Sequence, residues 1–178
     1  FLPQIMYVPA ERNFISIIKE AKSFKSLPDS LLEYITEFNN AKDEIKDGLS
    51  LPINDAEIKY DKQHDVINVT GNDYQVGLSE ASSGFQSLVP LYLVSYYLAN
   101  AVRRQVENPQ KMSHNESQRF NDAVKSIWAD TTLTDEQRRI ALSAVSSQFN
   151  KTAFINIVEE PEQNLFPVSQ RNMLYSLL

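Results

Sequence analysis

Two glutamates stand side by side, Glu159 and Glu160, at the end of the strand-length run Phe154, Ile155, Asn156, Ile157 and Val158. A strand of that kind delivers both carboxylates at its C-terminal end, where open α/β sheets place their ligands. One carboxylate can hold hydrated Mg²⁺ while the next orients or deprotonates an attacking water, which is the division of work that phosphoryl transfer to water requires. An acidic turn closing a strand uses the same two residue types, so the pair on its own leaves both readings open. A second group lies upstream, where Ser82, Ser83 and Gly84 open a long apolar segment. Unpaired N–H groups and the positive end of the helix dipole favour a phosphate there, and a glycine lets the backbone approach it closely. An ordinary helix cap reads the same way.

Those two groups need a framework. Residues 4–9, with Ile5, Met6, Tyr7 and Val8 before Pro9, predict a first buried strand. Residues 14–48 predict a helical subdomain. Its helix starts after Pro28 with Ser30 and Glu33 as a reciprocal cap, and it carries Leu31, Leu32, Ile35, Phe38 and Ile45 on its apolar face. Gly48 is free to turn left-handed just past its end. Between residues 57 and 79 the apolar period becomes two, predicting a three-strand antiparallel meander built on Ile58 and Tyr60, then Val66, Ile67 and Val69, then Tyr74, Val76 and Leu78. Residues 80–104 hold the serine-glycine loop and a helix apolar on most sides. Residues 106–150 turn polar and helical, with Phe120, Val124, Ile127 and Trp128 on one face and Thr134 and Gln137 as a second capping pair. Residues 153–178 close the chain as strand, acidic loop and a helix after Pro167. The class is α/β, with residues 1–178 as one domain.

The run 154–167, FINIVEEPEQNLFP, resembles the Walker B and D-loop segment of the ABC-superfamily P-loop ATPases, and most closely the soluble branch of RecF-like, SMC-like and OLD-type proteins. Glu159, Glu160, Pro161, Leu165 and Pro167 stand where that pattern needs them. Ser82, Ser83 and Gly84, followed by Gln86, resemble the family's signature loop and precede the acidic motif in the family's order. Tyr7, Val8, Pro9, Ala10, Glu11 and Arg12 resemble the segment that enters the helical subdomain in the OLD-type branch. The resemblance implies part of an ABC-type core, with 14–48 as the helical subdomain, 57–79 the meander, 80–104 the signature loop and buried helix, 106–150 a helical insertion, and 153–178 the Walker B strand, D-loop and following helix. It implies ATP and Mg²⁺ as cofactors and a homodimer closed through nucleotide. Glu160 would be the catalytic carboxylate, and Glu159 would hold Mg²⁺ through water. Ser82, Ser83 and Gly84 would bind the ATP held by the partner subunit, and Gln163, Asn164 and Leu165 would form the D-loop. Arg12 would lie near the nucleotide, the alternative being a structural salt bridge around Glu11.

No Gly-x-x-x-x-Gly-Lys-Ser/Thr occurs among the 178 residues, so the loop that holds the β- and γ-phosphates is expected from elsewhere, as is the family's switch histidine. The chain then reads as the C-terminal part of an ATPase core with both flanks removed, contributing half the parts of each site and inactive alone. DNA metabolism, phage defence and a DNA partner follow from the resemblance only. A net charge of -6 gives no broad phosphate-neutralising surface. With no cysteine, disulfides and thiolate metal sites are excluded. His64 and His114 are isolated, and no zinc site is expected. No apolar stretch reaches the roughly 20 residues of a spanning helix, so no membrane partner and a cytoplasmic location are expected. Two rivals stand beside the ATPase reading. One is a non-catalytic interaction module whose helical insertion docks a protein partner. The other is a metal-dependent nuclease using Glu159, Glu160 and Glu162, which lacks a further acidic cluster in the sequence.

Overall fold

Alternation of side chains along short β-branched runs, and apolar positions three and four apart along longer ones, divide this chain into six strands and five α-helices in the described residues. The computed structural model describes residues 2–17, 27–45, 47–107, 114–149 and 151–177. The result is a mixed α/β architecture with one parallel and one antiparallel sheet. Strand β1 (Leu2–Val8) pairs in parallel with β6 (Lys151–Val158), although about 150 residues separate them in sequence. The other sheet runs in the order β2 (Leu49–Ser50), β3 (Glu57–Asp61), β4 (Val66–Thr70), β5 (Gln75–Gly77). The helices are α1 (Asp29–Lys42), α2 (Ser83–Glu107), α3 (His114–Ala129), α4 (Asp135–Phe149) and α5 (Pro167–Leu177). Among the described residues no helix is long and apolar enough to cross a membrane.

The chain divides into two compact units, Met6–Tyr97 with Asn156–Leu178, and Phe1–Ile5 with Leu98–Ile155. In the first, α1 buries Leu31, Tyr34, Ile35, Phe38 and Ala41. It starts two residues earlier than the cap pattern predicts, with Pro28 in place of Ser30 at the cap. The carbonyl of Pro28 accepts from Leu31 and Leu32 N–H, both at 3.0 Å, which puts Ser30 inside the first turn; the expected cap with Glu33 does not form. Leu32, expected on the apolar face, is exposed, Tyr34 is buried in the core, and Ile45 is buried beyond the helix end. Part of the predicted 14–48 subdomain, residues 18–26 and 46, lies outside the described residues. Gly48 has φ of 92°, the left-handed turn anticipated for it.

The antiparallel sheet extends the predicted meander by one strand, because Leu49 and Ser50 pair with Ile58 and Glu57. β3 and β4 hold the register Ile58↔Val69 and Tyr60↔Ile67, with Ile58, Ile67 and Val69 buried. The third predicted strand is shorter than its apolar pattern: Tyr74 sits exposed in the Gly71 turn, and Leu78 falls in a 3₁₀ turn, Leu78–Glu80.

In the second unit, α3 and α4 pack together as a hairpin. The predicted pair at the start of α4 is present in both directions, Thr134 N–H to Gln137 Oε1 at 2.9 Å and Gln137 N–H to Thr134 Oγ1 at 3.3 Å. Among the described side chains of α3 and α4 none is fully buried. Trp128, predicted on the apolar face, is 61% exposed, with the guanidinium of Arg138 5.4 Å from its ring centre. Residues 108–113 and 150 of the predicted 106–150 insertion lie outside the described residues.

Candidate functional site

β6 ends at Val158, and the chain then leaves the sheet through a tight acidic loop. Glu159 N–H still donates to the Val8 carbonyl at 3.0 Å, the last rung beside β1. Glu160 departs from the strand with φ of 42°, and Asn164 repeats the left-handed conformation at 60°. Between them the loop closes on itself, Gln163 N–H to Glu160 carbonyl at 3.0 Å and Leu165 N–H to Glu162 carbonyl at 3.1 Å. Left-handed backbone at a non-glycine residue persists only where the surroundings over-determine it.

Those surroundings are visible. The 3₁₀ helix Ala10–Ser16 that follows β1 contributes Arg12, which is 1% exposed. Its Nη2 donates to the Glu160 carbonyl at 2.7 Å and its Nη1 to the Glu159 carbonyl at 2.8 Å. The same side chain reaches the Pro9 carbonyl through Nη1 at 3.3 Å and the Ser87 carbonyl in α2 through Nε at 3.1 Å. Arg12 therefore spends its donors on backbone oxygens.

The two carboxylates differ in their surroundings. Glu159 Oε2 accepts from Ala10 N–H at 3.2 Å, and the Tyr7 phenol is held above its ordinary pKa first by a hydrogen bond to Glu159. Glu159 is thus oriented along the sheet, whereas Glu160 projects from an exposed turn. Among the described residues no group of three or more His, Cys, Asp or Glu side chains assembles as a metal cage. A hydrated metal here would be held by Glu159 through water, with substrate oxygens completing its shell, a hard-oxygen environment of the kind Mg²⁺ commonly takes.

Ser82 and Ser83 are exposed at the start of α2, and the Ser82 carbonyl accepts the first helical bond from Gln86 N–H at 3.0 Å. Gln86 turns its side chain back onto the preceding loop, with Nε2 donating to the Ser79 and Ala81 carbonyls at 3.0 Å each. A Cβ on Gly84 would meet the Asn164 carbonyl oxygen at 3.0 Å and a Leu165 methyl at 3.6 Å. Asn164 Nδ2 adds a bond to Ser87 Oγ at 2.9 Å. Glycine at 84 is what lets the end of the acidic loop lie against the start of α2. Of the residues predicted from sequence, Ser82, Ser83, Gly84, Asn164, Leu165 and the Glu159-Glu160 pair belong to one compact unit, with Arg12 beneath them. Gln163 lies in the same loop with its Oε1 buried and lacking a hydrogen-bond partner.

Sequence reasoning missed Tyr7, Ser87 and Pro90 as site residues. Pro90 was the readable signal: a proline inside a helix removes the N–H that would serve the carbonyl four residues back. That carbonyl belongs to Gln86, and Ser16 Oγ donates to it at 2.9 Å. The neighbouring Ser87 carbonyl is the one Arg12 takes. A separate cavity of about 110 Å³, floored by Ile35, Phe38 and Ile67 and edged by Lys42, Asp65 and Ser79, is lined by none of the predicted site residues. The chain matches no protein-family model, no curated protein and no solved structure.

Proposed function

We propose that this chain is the C-terminal part of an ABC-type ATP-binding and ATP-hydrolysing core that works as a nucleotide-bridged dimer. The observation that carries the reading is the packing of Gly84 against Asn164 and Leu165. It puts a helix N-terminus suited to phosphate beside the end of an acidic loop, with Ser82, Ser83, Glu159 and Glu160 all exposed. A surface of this kind is half a site. It offers donors at one end and carboxylates at the other, and it has no glycine-rich loop of its own to cradle the β- and γ-phosphates.

In this reading Glu159, oriented by Tyr7 and the Ala10 N–H, holds Mg²⁺ through water. Glu160 takes a proton from, or aligns, the water that attacks the γ-phosphate. Ser82, Ser83 and Gly84 face nucleotide bound to a second copy, and residues 163–165 line the seam between copies. A phosphate loop would come from polypeptide beyond these 178 residues. Work on DNA or in phage defence is part of the proposal through the resemblance alone.

ATP turnover by the longest natural polypeptide containing this segment, compared with its Glu160→Gln variant, tests the reading. Turnover should fall by at least about 100-fold, as loss of a general base does, while MgATP still drives dimer formation. A variant as active as the parent protein removes Glu160 from the mechanism. One further observation favours an interaction module: Trp128 and Ile140, at 61% and 60% exposure, leave apolar surface on the α3–α4 hairpin. Parent and variant both inert and monomeric with ATP would give that reading precedence.

A further inference from the structure

We infer that Arg12 is a positioning residue for the acidic pair and that it ties their backbone to the first turns of α2. The inference rests on the ATPase reading above and goes beyond it, because the resemblance places Arg12 near the nucleotide and the geometry gives it different work. A guanidinium reaching for a phosphate keeps donors free at the surface. Arg12 is buried and spreads its Nε, Nη1 and Nη2 over the carbonyls of Ser87, Pro9, Glu159 and Glu160.

Three consequences follow from that bonding. First, the carbonyls of Glu159 and Glu160 are held by adjacent nitrogens of one rigid plane, so the peptide between them cannot rotate without breaking a bond of 2.8 or 2.7 Å. That peptide sets the φ of 42° at Glu160, and so the direction in which its carboxylate leaves the loop. Second, the third edge of the same plane holds Ser87 in α2 at 3.1 Å, so the acidic turn is fixed relative to the helix that begins with Ser83. Asn164 Nδ2 on Ser87 Oγ makes a second strut between the same two segments. Third, in a nucleotide-bridged dimer α2 faces the partner's nucleotide while Glu160 faces its own. The guanidinium then connects the two sites inside one subunit. Lysine cannot replace it, because a single ammonium does not span carbonyls arranged around a fork.

The experiment compares the longest natural polypeptide containing this segment with its Arg12→Lys, Asn164→Gly and Asn164→Asp variants. Steady-state kinetics, MgATP-driven dimerisation and thermal melting are read on each. Arg12→Lys should lower kcat by roughly 10- to 100-fold, the scale of a displacement on the order of 1 Å at a catalytic group. KM for ATP should stay within about twofold, since the substrate contacts are untouched. Asn164→Gly keeps the left-handed backbone but deletes the strut, and it should lower kcat in the same direction without unfolding the protein. Asn164→Asp should restore most of it, because the Ser87 hydroxyl can donate instead of accept.

A rise in KM with kcat unchanged in Arg12→Lys would mean that the guanidinium binds nucleotide, and the inference falls. Unchanged kinetics in both Arg12→Lys and Asn164→Gly also overturn it. Should Arg12→Lys melt below the assay temperature, the Asn164 pair decides: normal kcat in Asn164→Gly rejects the struts, and a loss recovered by Asn164→Asp supports them. An inert parent protein that stays monomeric with MgATP removes the ATPase reading itself, whereas an active parent with indifferent variants removes only this inference.

Discussion

Asp65 shows how one residue can combine backbone and charge. It has φ of 50°, and its Oδ1 accepts from Lys42 Nζ and from the Tyr60 hydroxyl, both at 2.7 Å. Lys42 first, and then Tyr60, hold its carboxyl below the usual carboxylate range, while burial and Asp65 push the Tyr60 phenol up to about 12. A depressed carboxylate contributes stability that is present above its unfolded pKa and lost as pH falls through the folded one. Asp65→Asn tolerates the left-handed backbone and loses only the charged pair, so it should cost about 0.5 to 1 kcal/mol at neutral pH. Asp65→Ala should cost about 1 to 2 kcal/mol more, through the strained φ. Denaturant melts should show the Asp65→Asn difference shrinking as pH falls below about 4, the unfolded value, and vanishing only below the lower folded pKa, where the carboxyl is neutral in both states. A difference that persists undiminished in acid would show that the ion pair is not its source. The position of Glu159 and Glu160 at the end of the last strand was legible from residue type and order alone. Arg12 was visible as a residue but not in its role, since its partners at 159 and 160 are brought to it only by the pairing of β1 with β6.

Among the elements, α2 follows its sequence pattern in the face it buries and departs from it at Pro90. Its buried face was readable from the spacing of Leu88, Leu91, Val94 and Leu98, and all four are buried. What spacing could not show is the use made of Pro90. The proline leaves the Gln86 carbonyl without its helical donor, and the 3₁₀ helix Ala10–Ser16 docks a hydroxyl there. Ser16→Ala should therefore cost about 1 kcal/mol. In a Pro90→Ala background the cost should be smaller, because the new N–H can serve Gln86, giving a coupling of about 0.5 kcal/mol or more between the two positions. Strict additivity in thermal or denaturant melts would refute the link. In α4 the reciprocal cap was legible and is present, so Thr134→Ala should cost the helix about 1 kcal/mol. α1 shows the limit of such patterns: Ser30 and Glu33 have the right spacing, yet Pro28 starts the helix two residues too early for them. β6 shows another. Its apolar run does not say which face is covered, and Ile155 and Ile157 alternate outward with the period of a strand covered on one side.

On the scale of the whole molecule, the chain divides into two compact units whose boundaries the sequence pattern does not mark. Helix-period runs and strand-period runs look alike whether or not they share a core, so no local signal distinguishes the two cases. Their interiors differ. The unit Met6–Tyr97 with Asn156–Leu178 holds Met6, Tyr34, Ile58, Val69, Leu88 and Met173 at or near zero exposure, while α3 and α4 have no fully buried side chain among those described. Local stability follows buried apolar contact. The hairpin is expected to open at lower temperature than the unit that carries the glutamates. The indole stacked against Arg138 makes this measurable without labels, because Trp128 is the chain's single tryptophan and lies in α3. Its emission reports on the hairpin alone, whereas far-ultraviolet circular dichroism averages over every helix and strand. The fluorescence transition should come first on heating, and coincidence of the two curves would instead mean that the chain melts as a single cooperative body.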